Sequence, residues 1–269
     1  TSIKNYAFYN YDNISSVTIS ESTTSIGVSA FYGCDNLKEV KIPNTVTSIG
    51  EYAFRGCKKL SSVLIPDSVK EIGDYAFAEC SSIKTLTIGN GVTDIGEYAF
   101  SECNNINEIT IGNKVANVGK GAFYDNYGII NVYFNGTLSE WCSIKYDDDF
   151  SSSDSVMNCA DNLYINGSLL SGDIIIPDDI NYITRYAFYN CNAITSVTIP
   201  DSVTYIDSGA FHSCYGLVNV YYIGNLESWC KINFVSRYSN PSYTAENIYI
   251  DNCLVEGTLI LPDSVNQIL

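Results

Sequence analysis

Apolar and polar residues follow a fixed programme through the stretch Leu37 to Cys57, L-K-E-V-K-I-P-N-T-V-T-S-I-G-E-Y-A-F-R-G-C. Val40-Lys41-Ile42 alternates apolar, polar, apolar, which predicts a short half-buried strand. Pro43 ends that strand, because proline cannot donate to a ladder. Val46 and Ile49 point inward from a second short segment, and Gly50 permits a tight bend where a Cβ would clash. Glu51 to Gly56 has room for about one helical turn, with Ala53 small enough for close packing and Phe54 filling the interior.

The programme recurs in register. Phenylalanine occupies positions 8, 31, 54, 77, 100 and 123, every interval being 23 residues, and the count resumes with Phe188 and Phe211. Alanine precedes each of the eight, and cysteine follows six of them three residues later, at 34, 57, 80, 103, 191 and 214. A fixed period of this length predicts a solenoid, whose coils bury their apolar faces only against one another. Equivalent strands then stack about 4.8 Å apart in parallel, and like residues form interior ladders.

This unit resembles the leucine-rich repeat of the BspA-like family, with its L-x-x-V-x-I-P-x-x-V-x-x-I-G-x-x-A-F-x-x-C pattern. The likeness covers about residues 1–134 and 174–222; Tyr11 and Asn126 replace the cysteine, and Gly89 and Gly112 replace the proline. It implies an α/β leucine-rich repeat solenoid: a β-rich right-handed superhelix with a parallel β-sheet on one face and short helical turns and loops on the other. It also implies a surface-associated protein of a host-associated microbe, with adhesion to host matrix proteins or other cells.

Regularity breaks after Phe134, and the break itself repeats. Val132-Tyr133-Phe134 through Trp141-Cys142-Ser143-Ile144 matches Val220-Tyr221-Tyr222 through Trp229-Cys230-Lys231-Ile232 at an offset of 88. The expected organisation is a single solenoid over 1–269. Regular coils fill 1–134, an elaborated coil 135–173, regular coils 174–222, and a second elaborated coil with the start of the next regular one 223–269. The polar stretches Asp147 to Asn158 and Val235 to Ala245 differ in length, which predicts surface excursions. Leu138 to Ile144 predicts a short amphipathic helix whose tryptophan either plugs the stack or stacks on a ligand. Asn166-Gly167 is a two-residue hairpin signal, and Asp251-Asn252 a weaker version of it.

Ile3 stands before Phe8 as Ile49 stands before Phe54, and Ile268 follows Pro262 as Ile49 follows Pro43. Starting and stopping at one repeat phase, without polar caps or a signal peptide, predicts a fragment of a longer array. A net charge of −16 opposes phosphate backbones and anionic lipid surfaces, so nucleic acid and membrane surfaces are poor partners. No apolar run reaches the roughly 18–20 residues that span a bilayer. The same acidic, Ser/Thr/Asn-rich composition suits an extracellular or cell-surface location.

Catalytic chemistry has no foothold in these patterns. The chain has no glycine-rich phosphate loop, nucleophile elbow, histidine–carboxylate arrangement or C-x-x-C pair, so neither enzyme activity nor a metal or other cofactor is expected. His212 occupies a variable slot after Phe211 and reads as a surface residue; Asp147-Asp148-Asp149 reads as a solvated acidic turn. Same-phase cysteines point alike and cannot converge into disulfides, so they read as small buried hydrophobes, with Cys142 and Cys230 buried too. Cys159 and Cys253 alone are free to be exposed or bridged. Asn13, Asn135 and Asn166 begin N-x-S/T sequons.

A ligand would meet the outward file of the strands: Thr18, Lys41, Leu64, Thr87, Thr110, Tyr133, Ile175, Thr198 and Tyr221. The candidate binding residues are Tyr133, Tyr221, Tyr222, Tyr164 and Tyr249, with Trp141 and Trp229 from the elaborated coils. Tyrosine offers apolar area and a hydrogen-bonding tip at low entropic cost. Either these rings recognise a partner or they cover the edges of a widened coil. The expected role is a monomeric, non-catalytic module binding an extracellular protein or glycan; the rival is a passive stalk presenting another domain.

Overall fold

The computed structural model describes residues 1–147 and 155–261, without the side chains of 158 and 159. Asp148, Asp149, Pro262, Ile268 and the Cys159 side chain therefore lie outside the described residues. The chain makes about nine turns of β-solenoid and divides into two compact units. The first comprises Thr1–Gly136 with Ile144–Ala160, and the second Thr137–Ser143 with Asp161–Leu269.

In the first unit each coil contributes one strand to a front face and one to a second sheet. On the front, Ser62–Ile65, Thr85–Ile88, Glu108–Ile111 and Asn131–Phe134 pair in parallel, each residue against the one 23 positions on. Ser16–Thr18 and Glu39–Lys41 form a separate parallel pair, so the front sheet is interrupted between Lys41 and Leu64. Two-residue strands such as Ser48–Ile49, Glu71–Ile72 and Asp94–Ile95 stack in the second sheet. Alternation does what the pattern predicts: Val63 and Ile65 are buried, Ser62 and Leu64 exposed.

The phenylalanines form the expected ladder. Phe54 stacks on Phe31 at 5.1 Å and on Phe77 at 5.0 Å, and Phe188 on Phe211 at 5.0 Å in the second unit. Preceding alanines such as Ala53 and Ala76 are fully enclosed.

Between Gly50 and Cys57, however, the backbone is not a helical turn. Tyr52 has φ +55° and Gly56 φ +74°, and the same two positions are left-handed in the following coils, as at Tyr75 and Glu79. Alternate amides therefore point in opposite directions. Ala53 N and Arg55 N bond within the coil to Gly50 O and Tyr52 O, whereas Tyr52 N, Phe54 N and Gly56 N donate to Asp74 O, Ala76 O and Ala78 O of the next. A right-handed turn satisfies only its own coil; this conformation adds a further line of bonds between coils.

Gly50 also acts otherwise than expected. Its φ is not positive, but a Cβ there would lie 2.8 Å from Val28 N and 2.9 Å from Gly27 C of the preceding coil. Close inter-coil approach, not bending, requires the glycine.

The ladder cysteines are free and buried, yet they are more than apolar filler. Cys57 Sγ donates to Phe31 O at 3.3 Å, Cys80 Sγ to Phe54 O at 3.1 Å, and Cys103 Sγ to Phe77 O at 3.1 Å. Asn126, which takes the cysteine position, donates Nδ2 to Phe100 O at 2.7 Å. The substitution thus keeps the inter-coil bond.

The second unit repeats the scheme with Gly172–Ile175, Ile194–Ile199, Asn219–Tyr222 and Asn247–Ile250 in front. Both hairpin signals close as expected. Asn166-Gly167 joins Asn162–Ile165 to Ser168–Leu169, and Asp251-Asn252 joins Asn247–Ile250 to Cys253–Leu254, with positive φ at all four turn residues.

Candidate binding face

The front file of the second unit passes from aliphatic and hydroxyl side chains to aromatic ones. Ile175, Thr198, Tyr221 and Tyr249 stand in register on successive strands, and Leu254 faces Tyr249 across the antiparallel return strand. Ile175 is 70% exposed, and the rings of Tyr221 and Tyr249 stack at 4.7 Å with 20° between planes. A polar file runs beside them. Ser196 Oγ donates to Asp173 Oδ1 at 2.7 Å, and Asn247 Nδ2 donates to Asn219 Oδ1 at 3.0 Å. The face therefore carries a stacked tyrosine pair beside polar side chains that hydrogen-bond to one another. In the first unit the corresponding file is Leu64, Thr87, Thr110 and Tyr133, of which Leu64 is 62% exposed.

The seven candidate residues do not form one site. Tyr221 and Tyr249 meet, Tyr133 occupies the front file of the first unit, and Tyr164 lies half-exposed opposite Leu169 in its hairpin. Tyr222 is 1% exposed and must be withdrawn as a ligand contact. The period of a strand is two, so Tyr222 faces inward wherever Tyr221 faces outward. Burial also pushes its hydroxyl pKa up.

Trp141 is likewise withdrawn. It sits on helix α1 (Leu138–Cys142), whose capping box satisfies the amides of Thr137 and Glu140. Its ring is 1% exposed, and Nε1 donates to Ala187 O at 2.9 Å. It is the plug rather than the stacking platform. Trp229, on helix α2 (Leu226–Cys230), is half-buried with its ring 5.3 Å from Tyr222 and 5.4 Å from Phe234.

His212 is not the open surface residue that its slot suggested. It lies half-buried, with Tyr189 stacked at 5.5 Å, Tyr238 edge-on at 4.6 Å and Tyr243 at 6.3 Å. Burial lowers its pKa below the ordinary histidine value. The sequence places Tyr238 and Tyr243 in a loop 26 and 31 residues beyond His212, a distance at which no local pattern reports contact. Leu254 was missed because its placement depends on the Asp251-Asn252 return. Cys253 is exposed and free, and Cys230 is half-buried rather than enclosed.

Stacked parallel coils with inward apolar ladders at a 23-residue spacing define a leucine-rich repeat solenoid. The description "BspA type Leucine rich repeat region" matches residues 1–140 and 149–268 in six copies, and the chain belongs to that family. No match arises among curated proteins. A leucine-rich repeat protein from Bacteroides ovatus is 26% identical over 82% of this chain and 58% of its own, with TM-score 0.50. The T. pallidum leucine rich repeat protein is 27% identical over 49% of this chain and 65% of its own, with TM-score 0.47. A leucine rich cell surface protein from Faecalibacterium prausnitzii is 24% identical over 87% of this chain and 86% of its own, with TM-score 0.32. The chain spans less than two thirds of the length of the first two. Among the described residues, no helix is long and apolar enough to cross a membrane.

Proposed function

We propose that this chain is a non-catalytic binding module, displayed extracellularly or at a cell surface, that recognises a host or cell-surface protein or glycan. The Tyr221–Tyr249 stack carries the reading: two half-exposed rings lie in file with exposed Ile175 and Leu254 on a sheet face. Rigid aromatic anchors of this kind dominate interface energetics. The first unit's file, with threonine at 87 and 110, acts as a spacer that also presents Tyr133. The module works as a monomer, its membership of the BspA-type family supporting the surface location.

The test measures binding to immobilised extracellular matrix proteins and a glycan panel for the natural chain and for Tyr221→Ala with Tyr249→Ala. Both rings project from the sheet, so the double variant should fold and lose on the order of 30-fold or more in affinity, as for an interface hot spot. Unchanged affinity would reject the tyrosine face. Binding to no probe, with the variant indistinguishable from the natural chain, would favour the stalk.

A further inference from the structure

The chain has three arginines and 30 acidic residues. Arg55 donates two hydrogen bonds to Glu79, and Arg185 lies 3.9 Å from Asp207. Arg237 makes no ion pair among the described residues. Its guanidinium lies instead 4.6 Å from the Tyr238 ring centroid and 6.0 Å from that of Tyr243, and it donates to the Tyr238 hydroxyl. An arginine without a carboxylate partner among the described residues, in a chain of net charge −16, is a local exception to the field of the whole molecule.

This arginine borders a cavity of about 730 Å³, whose wall includes Asn233, Phe234, Asn240, Ser242 and Tyr243. That volume lies within the ~300–1,000 Å³ range of small-molecule sites. The wall is held in place. Asn240 caps the short turn Pro241–Tyr243 by accepting from Ser242 N at 2.9 Å, and Ser239, fully buried, ties the loop through its hydroxyl to Ser236 N at 3.0 Å. The Tyr243 ring is braced edge-on by Tyr238 at 5.1 Å and backed by His212, yet remains 52% exposed. A fixed ring, a guanidinium and amide and hydroxyl groups therefore converge on one opening.

We propose that this cavity binds a carboxylate-bearing sugar residue, of the uronic or sialic acid class. Arg237 pairs with the carboxylate, and the exposed Tyr243 face packs on the C–H side of the pyranose ring. The free side-chain donors of Asn233, Asn240 and Ser242 serve its hydroxyls. Each group matches one part of that ligand: a simple anion would use only the arginine, and a neutral sugar would leave it unpaired. The site is independent of the strand-face reading, since neither Tyr221 nor Tyr249 lines it.

Titration calorimetry and NMR on the whole chain, with glucuronate, N-acetylneuraminate, glucose and acetate as probes, test the assignment. One of the acidic sugars should bind with a Kd on the order of 1 mM, with glucose and acetate at least about tenfold weaker. Arg237→Ala should remove binding and Tyr243→Ala should weaken it about tenfold, without change in thermal midpoint. Tyr221→Ala with Tyr249→Ala should leave it intact. The proposal is overturned by no binding of either acidic sugar, by equal binding of acetate, or by undiminished binding in Arg237→Ala.

Discussion

A ladder cysteine joins two coils through one sulfur. Cys80 is fully buried beside the phenylalanine column, and its thiol donates to the carbonyl of Phe54 in the preceding coil. That carbonyl already accepts from Cys57 N, so the thiol supplies a second bond rather than the sole one. Cys80→Ala should therefore cost about 1–2 kcal/mol, combining a modest hydrogen bond with lost volume; urea denaturation measures it. Asn126 keeps a donor to the equivalent carbonyl where the thiol is replaced. The fully burying pattern A-F-x-x-C made the position legible, but alignment alone does not reveal that the sulfur has a carbonyl within reach.

At the scale of the element, each coil is held by bonds its own residues cannot complete. The segment after Gly73 is left-handed at Tyr75 and Glu79, four residues apart, and Tyr75 N donates to Glu97 O and Phe77 N to Ala99 O. Gly73 lets this segment lie directly against the coil before it: an added Cβ would sit 2.6 Å from Glu51 N and 2.7 Å from Gly50 C. Both are backbone atoms that cannot rotate away. Gly73→Ala should thus destabilise by about 1–3 kcal/mol, as overpacking does, and thermal unfolding should show it. The sequence marks a glycine and a short apolar segment here, and a helical turn fits them equally well. Only the neighbouring coil, with carbonyls waiting at the right spacing, selects the conformation that aims every second amide outward.

At the scale of the whole molecule, a file of buried thiols runs beside the phenylalanine ladder and the aliphatic core of each unit. Burial pushes the thiol pKa values of Cys103 and Cys214 up to about 12, from an ordinary value of 9.0, one in each compact unit. Unfolding releases these thiols to ionise at the ordinary value, so the unfolded chain holds fewer protons between the two values. Their contribution to stability is complete below about pH 9 and is lost as pH rises toward 12. Urea midpoints measured across that window should fall with rising pH, and Cys103→Ala with Cys214→Ala should flatten the fall. An equal slope in that variant would assign the loss to other groups.

The sequence by itself determined the repeat, and with it the strands, the inward ladders and the family, because a 23-residue period leaves each apolar residue only its own counterpart to pack on. The outward file was legible for the same reason: the two-residue period of a strand orders one face once the other is buried. That rule also separates Tyr221 from Tyr222, although both looked alike as tyrosines beside an elaborated coil. What the tertiary structure decided lies where the period fails. Trp141 became a plug because Ala187, 46 residues on, offers a buried carbonyl. Arg237, Tyr238, Tyr243 and His212 became one cluster because the Val235–Ala245 loop folds back over an earlier coil. A repeating segment carries its partner's position within its own pattern, whereas a non-repeating loop acquires partners only when the chain has closed around it.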